Sequence, residues 1–75
     1  MNITDIMIHV HPELSAEQRT KVEDEVSKQD GVISVHFSPK LQHELTVAYN
    51  PESLTSEAIL SIIRQWDQDA VMVGL

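Results

Sequence analysis

Four histidines, His9, His11, His36 and His43, are the residues here whose types and spacing could do chemistry. The chain has no cysteine, which rules out disulfides, thiolate metal ligands and cysteine nucleophiles. His9 and His11 stand two residues apart, which on a strand puts both on one face, roughly 6.5–7 Å from each other. Such a pair with one more imidazole or carboxylate is a nitrogen-rich site suited to Cu(II), Zn(II) or Ni(II). His36, His43 and Glu44 are the candidates to complete it. Two other roles are open to the same groups. Imidazoles near Asp and Glu form a protonation switch around neutral pH, and His and Met can coat an exposed sheet face while binding nothing. No Ser-His-Asp set or acid/base dyad can be assembled. The two glycines, Gly31 and Gly74, form no phosphate loop. The chain therefore reads as a non-enzyme.

These residues need elements to position them. Ile6-Met7-Ile8-His9-Val10-His11 alternates with the period of a half-buried strand that Pro12 ends. Ile6, Ile8 and Val10 then face inward, and Met7, His9 and His11 face the open side. Ser15-Ala16-Glu17-Gln18 has the pattern of a capping box. The helix it starts carries Val22, Val26 and Gln29 as a thin inner stripe, and Gly31 stands where a left-handed C-terminal residue is expected. Val32 to Phe37 is a β-branched strand with His36 outward, closed by Ser38-Pro39-Lys40. A hairpin centred near Lys40 pairs Glu44 with His36. Leu45 to Tyr49 alternates as the next strand, with His43 at its start, and Asn50-Pro51 closes it. A second helix follows, capped by Thr55 or Ser53, with Ile59, Ile62, Ile63 and Trp66 at i, i+3, i+4 and i+7. Trp66 reads as a core residue capping this helix, and Asp67 and Asp69 as solvent-facing turn residues. Glu13, Glu17 and Glu23-Asp24-Glu25 read as a solvated helix face. Ala70 to Val73 forms the last short strand.

The order β-α-β-β-α-β is that of the ferredoxin-like sandwich, an α+β fold with an antiparallel four-stranded sheet and two helices on one face. The first and third strands are central, with the second beside the third. Residues 1–75 are expected to form one such domain, near the lower size limit for a self-sufficient core. Hydrophobic residues make up 41% of the chain, and its three large aromatics are Phe37, Tyr49 and Trp66, so the core must be mostly aliphatic. Twelve acidic residues against five basic ones give a formal charge of −7. That balance argues against nucleic acid and anionic membrane surfaces as partners. The start of the chain shows neither a basic segment nor a long apolar run, so a cytoplasmic protein without membrane insertion is expected.

Taken in order, several features resemble the heavy-metal-associated (HMA) domain family, the small copper-chaperone and metal-ATPase module. They are the first strand, Gly31-Val32 followed by Val35 and Phe37, the Asn50-Pro51 turn, the Ile59/Ile63 helix and the closing Val71-Met72-Val73-Gly74-Leu75. The resemblance runs nearly end to end. It implies the same ferredoxin-like scaffold, while the family's thiolate metal function does not carry over to the residues present here. That family's metal site is a Cys-x-x-Cys loop entering the first helix. The matching positions here are Ser15 and Gln18. The Met usually before them falls at Glu13, and the Gly-Tyr usually after the second helix falls at Asp67-Gln68. A hydroxyl and an amide are poor ligands for a soft cation, and a capping role accounts for both.

The expectation is therefore a metal-handling module with a non-cysteine site, His9 and His11 being ligands completed by His36, His43 or Glu44. The alternative is a metal-free module that docks a protein partner or a second copy through its acidic helices or open sheet face.

Overall fold

The computed structural model describes residues 2–11 and 13–73. Thr4–His9 form β1, Ala16–Ser27 α1, Val32–Phe37 β2, Glu44–Tyr49 β3, Ser56–Ile63 α2 and Val71–Val73 β4. Pro12, expected to end the first strand, and the closing Gly74 and Leu75 lie outside the described residues. The sheet order is β2-β3-β1-β4 with every neighbouring pair antiparallel. This is the ferredoxin-like arrangement, with β1 and β3 central. Among the described residues no helix is long and apolar enough to cross a membrane.

Period-two alternation sets the core. Leu45, Val47 and Tyr49 of β3 and Ile8 of β1, with Val10 just beyond it, are buried against Val22 and Val26 of α1 and Ile59, Leu60 and Ile63 of α2. The fully buried side chains are all aliphatic, as a chain with so few aromatics requires. The opposite face of the sheet carries no helix and presents His9, His36 and their neighbours outward.

Caps fix where the helices begin. Ser15 Oγ accepts the Gln18 N–H at 3.1 Å, and Gln18 Oε1 accepts the Ser15 N–H at 2.9 Å, a complete capping box. Thr55 caps α2 by accepting the Ala58 N–H at 3.1 Å. Ser53, the other candidate, has its hydroxyl 3.3 Å from Asn50 Nδ2 and accepts there. α1 stops at Ser27 with Lys28 as its cap, so Gln29 lies in the turn beyond and does not extend the buried stripe. Gly31 has φ +95°, yet it stands past the helix cap. Its left-handed backbone serves the turn into β2, where its carbonyl accepts the Asn50 N–H at 2.7 Å.

The end of α2 departs from the sequence expectation. The helix stops at Ile63, and the Trp66 N–H bonds back to the Ile63 carbonyl in a tightened turn. Trp66 is consequently 39% exposed and is not a core residue. The inner position one turn beyond Ile63 belongs to Asp67 instead, only 8% exposed. Asp67 is the one buried charged side chain among the described residues. Its Oδ2 accepts the His11 N–H at 2.6 Å and its Oδ1 the Asp69 N–H at 3.1 Å. It therefore ties the β1–α1 loop to the α2–β4 turn and is no solvent-facing turn residue. Glu23 also differs from its neighbours on α1. Half-buried, it accepts the outward-pointing N–H of Phe37 at 3.3 Å.

Candidate metal centre

The β1/β3 ladder places His9 directly opposite Glu44. Residues paired across antiparallel strands share a face, and here His9 Nε2 lies 3.5 Å from Glu44 Oε2. The imidazole side chain is 40% exposed and the carboxylate 15%, so the pair stands at a wall of the open face with one side to solvent.

His43 joins them from the β2–β3 hairpin. Ser38 organises that loop: its hydroxyl accepts the Lys40 and Leu41 N–H groups at 3.3 and 3.2 Å, and its own N–H donates to the Glu44 carbonyl at 2.9 Å. The His43 carbonyl accepts the Val10 N–H at 2.8 Å, which carries the ladder one residue beyond the end of β1. With its backbone held this way, the half-buried His43 ring packs edge-on against His9, centroids 5.3 Å apart and planes at 71°. Each of His9, His43 and Glu44 offers one donor atom, and these atoms all lie within 4.8 Å of one another. A tetrahedral ion with ligands at about 2.0–2.2 Å holds them about 3.3–3.6 Å apart. Small side-chain rotations separate the arrangement from that geometry.

His11 and His36 are elsewhere. β1 ends at His9, so strand alternation no longer governs His11. Its N–H is drawn to Asp67, and its Nδ1 accepts the Glu13 N–H at 3.2 Å. The exposed ring belongs to the β1–α1 loop and not to the group of three. His36 stands opposite Thr46, not opposite Glu44 as a hairpin centred on Lys40 would have it. The register Phe37–Leu45 and His36–Thr46 centres the hairpin on Leu41, because the Ser38-organised loop is longer than the expected turn. The slip is of two residues in the pairing partner, an even number, so His36 keeps the outer face.

The sequence expectation put Asp67 in solvent and missed its buried role. The available signal was its spacing of four from Ile63 and eight from Ile59, which continues the inner stripe of α2. At the positions that resemble the family's Cys-x-x-Cys loop, Ser15 and Gln18 spend their side chains on each other's backbone.

No protein-family model matches the sequence, and no curated protein matches it either. Solved structures do. A copper binding domain from a P-type ATPase superposes with a TM-score of 0.79 at 21% identity, covering 93% of each chain. The putative copper-ion-binding protein from Bacillus anthracis gives 0.78 at 14% identity, over 96% of this chain and 97% of that one. Oxidized MerP from Ralstonia metallidurans gives 0.76 at 11% identity, over 96% of both. At these identities the likeness is one of fold, and that fold is the one heavy-metal-associated domains have.

Proposed function

We propose that this chain is a non-catalytic metal-binding module that takes a divalent transition-metal cation, Cu(II), Zn(II) or Ni(II), on His9, His43 and Glu44. The observation that carries the reading is the convergence of two imidazoles and a carboxylate within 4.8 Å, half-buried at one end of the open sheet face. Neutral imidazole and carboxylate suit borderline divalent cations, whereas a soft monovalent ion favours sulfur ligands, and the three groups gathered here offer none. The fold likeness to copper-binding domains supports metal handling in general. His9 and Glu44 sit on paired central strands, and a site on rigid elements loads with little reorganisation.

Calorimetric titration of the metal-free chain with Zn(II), alongside amide NMR spectra, tests this. One ion per chain should bind, with shifts concentrated at His9, His43 and Glu44. The double variant His9→Ala/His43→Ala should lose that binding while keeping the dispersed spectrum of the folded chain. Undiminished affinity in the double variant would sink the assignment.

A second reading, a metal-free interaction module, is favoured by apolar side chains left in solvent near the same end of the sheet. Leu41, Trp66, Val71 and Met72 are 39–49% exposed. It would show as self-association or partner capture indifferent to chelator.

A further inference from the structure

The trio supplies three ligands, and a structural tetrahedral ion takes four. One imidazole on the same face is unused. His36 is exposed on the outer side of β2, opposite Thr46. β3 separates β2 from β1, so His36 stands about 10 Å across the sheet from His9. Glu44 lies two residues from Thr46 on the neighbouring strand, diagonal to His36, yet His36 is not in the group whose donor atoms lie within 4.8 Å of one another.

We propose that two copies of this chain stack their open sheet faces so that His36 of each completes the metal site of the other. The inference rests on the metal-binding reading above. A two-fold axis lying between the faces, midway between His36 and the trio, exchanges the two positions. One self-complementary contact then yields two equivalent sites of three ligands plus one. Facing sheets stack about 10 Å apart, where side chains from both faces meet.

The face is suited to such an approach. The ladder running from His36 continues through Thr46 and Met7 to Val73, and Ala48 lies beside it. These side chains are small or apolar and leave no charge to bury between the two sites. None of the five basic residues is on this face: Arg19 and Lys21 are on α1, Lys28 caps it, Lys40 is in the hairpin and Arg64 caps α2. Its acids are Glu44, itself a ligand, and Asp5 toward the other end of β1. The charge of −7 on each copy opposes association of the bare chains, and cations held between the faces relieve that repulsion. Pairing is therefore conditional on metal.

Sedimentation velocity on the full chain with Zn(II), then with excess EDTA, tests this. The mass should double with one zinc per chain and fall back on chelation. His36→Ala, an exposed position that the core does not use, should bind zinc and stay monomeric at the same concentrations. His9→Ala/His43→Ala should also stay monomeric. Mixing these two monomeric variants should restore a dimer with a single zinc, since one complete site forms between them. A zinc-loaded wild-type monomer, a dimer insensitive to EDTA, a His36→Ala dimer or a mixture that stays monomeric would each overturn the inference and leave the trio standing. No zinc uptake by the wild type would instead bring down the site itself.

Discussion

Two groups of polar side chains sit at the same end of this molecule and have opposite fates. In the β1–α1 region, Ser15, Gln18, His11 and Asp67 all bond to backbone: the capping box closes Ser15 on Gln18, and Asp67 holds the His11 N–H while the His11 ring holds Glu13. Across the sheet, the His9, His43 and Glu44 side chains make no backbone hydrogen bond among the described residues and face one another. A polar group whose donors and acceptors are taken by the main chain contributes to stability. One whose partners are other titratable side chains is available for chemistry. The fold has closed the β1–α1 loop on itself and left the other cluster open.

Measuring stability and zinc affinity on the same variants puts that contrast at risk. Asp67→Ala should have the largest effect on stability. It strands two N–H groups and removes charge-assisted bonds, costing about 2–3 kcal/mol, with zinc affinity on the trio nearly unchanged. If zinc affinity collapsed together with stability, the two regions would be one unit. Ser15→Ala should cost about 1 kcal/mol, a fall in Tm of roughly 4–8 °C for a domain of this size, again without effect on zinc. Glu44→Gln should invert the pattern. The partly exposed contact with His9 contributes no more than about 0.5 kcal/mol to stability, yet losing the Glu44 carboxylate should weaken zinc by a factor of about ten or more. A Glu44→Gln chain that bound zinc as tightly as the wild type would reduce the trio to two imidazoles.

Local rules made much of this architecture legible. The Leu45/Val47/Tyr49 alternation, the Ser15 and Thr55 caps and the inward Val22/Val26 pair each follow from spacing within a few residues. What escaped depended on partners far away in the chain or on loop geometry. Asp67 is buried because its acceptor oxygen meets an N–H 56 positions earlier, which no window of sequence contains. Trp66 looked like a core residue only while α2 was allowed to run past Ile63. The hairpin register hinged on the Ser38 hydroxyl gathering two N–H groups, a tertiary detail of one loop. His43 had the inward parity, but it belongs to that loop and not to the strand, which lets its ring reach His9. The group of candidate ligands could thus be drawn up from sequence, while which of them lie together needed the fold.

The Glu23 carboxylate on the Phe37 N–H has a consequence for behaviour in a crowded solution. Unsatisfied edge strands recruit further strands and seed fibrils. On β2 that invitation is blunted twice, by the carboxylate occupying an outward donor and by the pairing irregularity between Val32 and Ser34. The opposite edge, β4, has three residues among those described. A chain guarded on both flanks should stay dispersed at concentrations where an exposed ladder would grow, and removing the Glu23 carboxylate would open a route to aggregation without disturbing His9, His43 or Glu44.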